Sequence, residues 1–476
     1  MTARPPKSFV DDVFDENTLT CIYSPTRMNK YIPGILDTRF MYGKENKKML
    51  YMCHPDNKAL PPFYVAYQIP PQFEKKKLSY YVTFQFKHWN LQQPVGTLTQ
   101  NFGSIDVLEH SYEYLLYCKS LQGSLQLMQK EALKRIPSFQ IDLPFRDARV
   151  FTIDGKESMD LDDGLSIDAE KRSIYIALVP YVLEKLELTD CLLNRAANIY
   201  FPDKRISMMH PIVASLCSLH KGCERACLVL DLYHDGREKL DVVKVKVSDN
   251  FHYEEDRLLA DPDYQAFMKH GIKDSHELVS SLMKHINRYC GSVLKKGIHL
   301  NIQKKDQVLD QRFPDFFMSY SEYSYSGEYT QVSSPIRRLV DIMNMTQLCI
   351  EQNLFPFHPE VCLRFYDKLD ELNQGMRNIK QIQSKTKWFH HLSTHKNQIY
   401  TAIVYSKEMS TKGRDIWKYT LYIPSVGNTC SVHTSNEYEI LSEVAIKPFL
   451  FMDEYNLKKK VRFQIGLGIT QDLESF

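Results

Sequence analysis

Residues 151–168 read FTIDGKESMDLDDGLSID, with aspartates at positions 154, 160, 162 and 163. Like charges crowded into so short a run repel one another, and a divalent cation is the simplest relief. The preceding run ARVFTI, residues 148–153, reads as a short strand, so Asp154 falls at a strand end and Gly155 lets the chain turn. Hard cations such as Mg²⁺ take oxygen ligands and keep several waters, so a carboxylate cluster on a loop suits phosphate chemistry better than ion storage. The alternative is a solvated acidic turn. A calcium EF-hand loop does not fit: counted from Asp160, Gly164 falls where a ligand belongs and Lys171 where the bidentate Glu should stand.

A second chemical element lies at 328–344, EYTQVSSPIRRLVDIMN. Ser333 or Ser334 suits an N-cap and Pro335 a first helical position, which predicts a helix over about 334–353. Arg337 and Arg338 would then sit in its first turn, where the helix dipole disfavours cations. Either a bound phosphate compensates, or an internal Arg–Asp pair does, with Asp341 one turn on as partner.

The 476 residues allow two to four domains, and 43% hydrophobic with 25% charged residues is the composition of an ordinary globular protein. Net charge is only +2, so any nucleic-acid surface has to be local. Basic residues gather at Lys75–Lys77, at Lys458–Arg462, and between Gly375 and Asn397, where Arg377, Lys380, Lys385, Lys387 and Lys396 occur without an acid. Aromatics make up 12%, which suits base-stacking platforms and β-rich cores equally. The start, MTARPPKSFVDDVFDEN, lacks the apolar core of a signal peptide. No run approaches the roughly eighteen apolar residues of a membrane span. The expectation is a soluble intracellular monomer away from membranes. Eleven scattered cysteines without C-x-x-C pairing read as free thiols, with Cys217, Cys223 and Cys227 serving packing.

Residues 1–25 form a polar lead-in, and 26–105 carry short alternating segments such as YYVTFQF, 80–86, as in a small barrel. A helical stretch is expected over roughly 106–135. Strand-like runs follow at 173–182 and 226–247, the latter with Asp235-Gly236 as a hairpin turn. Helices are expected at 275–296 and 358–392, where Val361, Phe365, Leu369, Leu372, Met376, Ile379 and Ile382 recur at helical spacing. From about 397, IYTAIVY and WKYTLYI suggest a second small barrel.

The spacing D-x-x-x-x-x-D-x-D-D after a strand, followed by Y-T-x-x-x-S-P-I-R-R at 329–338, resembles the catalytic domain of the RNase II and RNase R family, which includes the catalytic exonuclease of the eukaryotic exosome. A third stretch agrees: YFPDKRISMMHPIVASLCSLHKGCERA, 200–226, is similar to that family's Y-L-P-x-x-x-I-x-M-L-P, then L-C-S-L and a downstream Arg. The likeness covers roughly residues 130–395. It implies an α+β multidomain chain: a mixed α/β RNB-type catalytic domain at 126–396, between an OB/cold-shock-like barrel with linker helix at 26–125 and a short OB/S1-like barrel at 397–476.

The resemblance further implies a hydrolytic 3′-to-5′ exoribonuclease that takes single-stranded RNA, uses Mg²⁺ or Mn²⁺, and releases nucleoside 5′-monophosphates. By that likeness Asp154, Asp160 and Asp163 would bind or support the metal, Asp162 would be tied most closely to cleavage, and Arg337 would contact the phosphate in flight. Tyr200 would stack on the terminal base, and Arg338 would bind RNA or anchor its helix. Partners in an RNA-degradation complex are compatible with this reading.

The chain departs from the family's pattern in several places. Gln331, Val332 and Leu339 interrupt Y-T-H-F-T-S-P-I-R-R-Y, and Met345-Thr346 replaces a His-Arg pair. IALVP at 176–180 stands where H-I-A-D-V is usual, and a Glu on the long helix is missing, with Gln381 or Gln383 in its neighbourhood. These changes touch support and substrate handling, leaving the aspartates and Arg337 in place. Activity is therefore expected, with a silent RNA-binding protein on the same fold as the alternative.

Overall fold

The computed structural model describes residues 5–15, 17–69, 78–268, 271–296, 298–302, 318–321, 329–395, 398–411, 415–453 and 457–466. The chain falls into two compact units, one comprising 1–122, 201–204 and 381–476, the other 123–200 and 205–380.

In the first unit, β1 (Ile32–Glu45), β2 (Lys48–Pro55), β3 (Phe63–Tyr67), β4 (Ser79–His88) and β5 (Val95–Ser104) close a barrel in the order β1-β2-β3-β5-β4. Its interior is filled by Leu36, Cys53, Phe63, Val65, Val82 and Phe84. Each such side chain removed from water contributes about 1.5–3 kcal/mol. The expected helical stretch at 106–135 is two helices, His110–Cys118 and Gln126–Arg135. Ser120, at φ 53°, takes the left-handed conformation just past the first of them.

The second unit is built on a closed barrel of β6 (Val150–Asp154), β7 (Asp163–Ile167), β8 (Lys171–Ala177), β9 (Glu224–Tyr233) and β10 (Glu238–His252), ordered β8-β9-β10-β6-β7. Asp235-Gly236 turns β9 into β10, with Gly236 at φ 88°. The β10–β6 pairing is parallel. The run 173–182 is not one strand: β8 stops at Ala177 and a buried helix, Val179–Lys185, begins with Pro180 in its first turn. Its position explains the apolar IALVP, since residues 176–180 are fully buried in barrel and helix. Helices Ser275–Val293 and Leu339–Glu351 follow, and the stretch 358–392 divides into Pro359–Tyr366 and Leu369–Thr394.

The predicted helix start at Pro335 is not what forms. Residues 335–337 make a turn in which the Ser334 carbonyl accepts from the N–H groups of Arg337 (3.3 Å) and Arg338 (3.1 Å). Arg338 is extended (φ −139°, ψ 127°) and bridges Ala197, so the helix begins at Leu339. A competing tie holds the turn: buried Asp341 accepts from the Ser334 N–H at 2.8 Å.

The last five strands, β11 (Tyr400–Met409), β12 (Trp417–Ile423), β13 (Asn428–Thr434), β14 (Glu443–Asp453) and β15 (Lys458–Ile465), form an antiparallel sheet ordered β13-β12-β11-β14-β15. No ladder joins its two edges among the described residues, so this sheet is open where a closed barrel was expected. Trp388 of the long helix packs into its core with Val404, Tyr419 and Ile446. The sheet and the closed barrels give the mixed α/β architecture with OB-like parts that the resemblance implied.

All eleven cysteines are free, and Cys217 and Cys227 are buried in packing roles. Lys75–Lys77 and Lys396 lie outside the described residues. The Lys458–Arg462 group is partly neutralised: Lys458 bonds Asp56 at 2.5 Å, Lys460 bonds Asp453, and Arg462 lies 4.6 Å over the Phe451 ring. No described helix is long and apolar enough to cross a membrane.

Candidate active site

Strand β6 delivers Asp154 to its end and β7 begins at Asp163, so two neighbouring strands of one barrel bring the first and last aspartates of the motif together. Between them the loop is pinned. The Leu161 N–H donates to Ser218 Oγ at 2.9 Å, the Leu219 N–H to the Leu161 carbonyl at 3.0 Å, and the Ala177 N–H to the Asp162 carbonyl at 2.9 Å. Gly164 sits at a close approach, since a Cβ there would lie 3.1 Å from Val150 Cγ1 and 3.3 Å from the Phe151 carbonyl and would push its neighbours by a few tenths of an ångström.

Each aspartate has a different environment. Asp160 is held by Arg205 Nη1 at 2.6 Å and Asn198 Nδ2 at 3.0 Å. Asp162, only 3% exposed, accepts from the Ile336 N–H at 2.9 Å and faces Arg337 Nε at 3.3 Å. Burial pushes its carboxyl up to about 7, against the pull of Arg337 and the Ile336 N–H. Burial likewise pushes Asp154 up to about 6, although Thr152 and Arg337 pull the other way. Asp163 is driven well above the usual carboxylate range by burial and then by the charges of Asp154 and Asp162.

These carboxyls and the arginine turn line a cavity of about 860 Å³ in the second unit. All of Asp154, Asp160, Asp162, Asp163, Tyr200, Arg337 and Arg338 border it. Tyr200 is 45% exposed at the start of the short hairpin that pairs Ile199–Tyr200 with Arg205–Ile206. Arg337 reaches both Ser334 Oγ (3.0 Å) and Asp162, with about half its side chain open to solvent. Arg338 bonds Asp341 at 2.8 Å, the internal Arg–Asp pair that the sequence left open.

Among the described residues no group of three or more His, Cys, Asp or Glu side chains is placed to share a metal ion. Asp160 is instead paired with Arg205 and Asn198. Asp154 and Asp163 nevertheless suit a hard cation: their donors are carboxylate oxygens, both are disfavoured as bare charges, and Asp154 Oδ2 is buried without a hydrogen-bond partner.

Sequence reasoning missed three contributors. Arg205 lies inside a stretch singled out for its tyrosine, and its charge beside that tyrosine was the available signal. Tyr253, which also lines the cavity, stacks its ring on His276 (3.8 Å between centroids, 11° between planes). Asn287 is buried and ties the arginine turn to helix Ser275–Val293: its Oδ1 accepts from the Val332 N–H at 2.9 Å and its Nδ2 donates to Ser333 Oγ at 3.2 Å. The departures Gln331, Val332, Leu339, Met345 and Thr346 are all buried: Val332, Leu339 and Met345 are apolar core residues, Thr346 donates to the Ile342 carbonyl at 2.8 Å, and Gln331 borders the cavity.

Residues 143–249 match the RNB domain family. Ribonuclease R of Mycoplasmopsis pulmonis is 30% identical over 153 residues, which are 31% of this chain and 21% of that protein. The match thus spans about a fifth of the relative's own length. In fold, the chain is similar to Mycoplasma genitalium RNase R in complex with ribose-methylated single-stranded RNA, with a TM-score of 0.59 at 15% identity over 94% of this chain and 91% of that one. It is also similar to yeast Ssd1, a pseudonuclease, with a TM-score of 0.52 at 13% identity over 89% of this chain and 68% of that one. With the aspartate strand pair and the S-P-I-R-R turn meeting in one cavity, residues 143–249 carry an RNB domain in a chain whose fold is similar to that of RNase R.

Proposed function

We propose that the chain is a Mg²⁺-dependent hydrolase that shortens single-stranded RNA from its 3′ end and releases nucleoside 5′-monophosphates. The observation that carries this reading is the convergence of Arg337 and the aspartate cluster: a half-exposed guanidinium sits 3.3 Å from Asp162 in the cavity that Asp154 and Asp163 border. A cation held by Asp154 and Asp163 would supply an ionised water and neutralise charge on the phosphate. Mn²⁺ has the same oxygen preference and would substitute.

The chain's own groups do the rest. Arg337 offers N–H donors to a phosphoryl oxygen, a charge-assisted contact that strengthens as charge builds in the transition state. Asp162 aims that guanidinium and is itself fixed by the Ile336 N–H, so the donor is oriented before substrate arrives. Tyr200 presents an exposed ring at the cavity rim for stacking on a terminal base. Arg338, neutralised by Asp341, anchors the turn.

A second reading is a silent RNA-binding protein on this fold. It is favoured by the pairing of Asp160 with Arg205 and Asn198, by the lack of a group of three metal-ligating side chains among the described residues, and by the fold likeness to a pseudonuclease. Degradation of a 5′-labelled single-stranded RNA with Mg²⁺, wild type against Asp162→Asn, separates the two. A ladder shortening from the 3′ end in wild type alone supports the enzyme. Intact RNA in both lanes with binding retained supports the silent protein.

A further inference from the structure

Helix Ser275–Val293 forms one wall of the cavity, presenting Ser280, Lys284 and Asn287 at spacings of four and three, which is one helical face. Asn287 fixes that face to the arginine turn through Val332, Ser333 and Tyr329, so Lys284 stands on a rigid support one turn away. Among the described residues four cations line the cavity, and three are matched to acids: Arg205 to Asp160, Arg337 to Asp162 and Arg338 to Asp341. Lys284 is exposed and has no acidic partner among the described residues. Its helix places no acid three or four residues away on either side, since those positions hold Ser280, Ser281, Asn287 and Arg288.

We propose that Lys284 is a positioning residue that binds a backbone phosphate of the RNA strand neighbouring the phosphate met by Arg337. This inference rests on the reading of the cavity as an RNA site. The chemistry is that of a point charge: the ammonium neutralises one phosphate and releases its counterion, without reading sequence. A strand held at two successive phosphates is fixed in register along the cavity, so Lys284 contributes to binding and register more than to bond cleavage.

The test measures binding of a fluorescein-labelled oligouridylate of about ten nucleotides over a KCl series. The parent is Asp162→Asn, so that the RNA survives. Adding Lys284→Ala is expected to weaken binding about ten-fold. It should also make the slope of log K against log salt shallower by about 0.7, the value for one phosphate contact on a single strand. Lys284→Arg should restore the slope, and Lys221→Ala, which removes a partner of Asp249 outside the cavity, should leave it unchanged. In the active protein Lys284→Ala should raise KM with kcat nearly unaltered. A dinucleotide, with a single internucleotide phosphate, should bind parent and variant equally. An unchanged slope and affinity for folded Lys284→Ala and Lys284→Gln would overturn the inference while leaving the RNA site standing. A parent that binds no RNA would overturn both.

Discussion

The Ile336 N–H donates to Asp162 Oδ1 at 2.9 Å, joining positions 174 residues apart in the sequence. That bond brings the arginine turn onto the aspartate loop, and it makes Asp162 both a buried charge and a structural latch. Asparagine at 162 keeps an acceptor for Ile336 but loses the charge that aims Arg337. We expect Asp162→Asn to fold, to bind RNA, and to cleave at least about 10³-fold more slowly than wild type. Single-turnover rates on a short RNA, beside circular dichroism, check this.

Asn287 is expected to be a positioning residue acting through the arginine turn. Asn287→Ala leaves the Val332 N–H and Ser333 without their buried partner, at a cost of about 1–3 kcal/mol. Cleavage should fall further than stability accounts for, because Arg337 loses its support. Urea denaturation together with kcat and KM at a temperature where the variant is fully folded separates the two effects.

Divalent cations should stabilise the fold through Asp154 and Asp163. At about 100 times its dissociation constant, a ligand specific to the native state contributes about 2.7 kcal/mol. Thermal unfolding with Mg²⁺ should therefore occur at higher temperature than with EDTA, and Asp154→Asn should shrink the difference. An equal shift in wild type and variant would mean the ion binds elsewhere.

Asp231, which does not border the cavity, sets an acid limit on stability. Burial raises its carboxyl, but bonds from Ser173, Lys171 and Arg146 outweigh that and hold it below the ordinary value. Because the folded-state pKa lies below the unfolded one, the ionised group stabilises the protein above a pH of about 4, and that contribution is lost as pH falls through the folded value. Asp231→Asn should lose about 3 kcal/mol at pH 7. It should also show a flatter fall in urea midpoint below about pH 4.

Much of the site was legible because its chemistry is local in sequence. Asp154 at a strand end, the D-L-D-D run and S-P-I-R-R each carry residue types whose clustering is costly without a ligand. Their meeting was not legible from periodicity, since it depends on β6 and β7 being neighbours and on Ile336 reaching Asp162. The helix start was misplaced for a physical reason. Ser334 and Pro335 have the composition of a cap, yet Asp341 captures the Ser334 N–H and Arg338 extends to pair with Ala197, delaying the helix to Leu339. Lys284 and Asn287 were invisible because an amphipathic helix does not announce which polar residues face a cavity. Likewise V-P-Y-V after β8 has strand composition, and only its burial as a helix distinguishes it.

Whether the protein is a 3′-to-5′ exoribonuclease is decided by the products of an unlabelled single-stranded RNA incubated with the protein and Mg²⁺, separated by liquid chromatography and identified by mass. Nucleoside 5′-monophosphates are expected to accumulate from the first minutes with a short residual oligonucleotide, and none from Asp162→Asn. Internal fragments or 3′-monophosphates would contradict it, as would intact RNA under conditions where the protein binds that RNA.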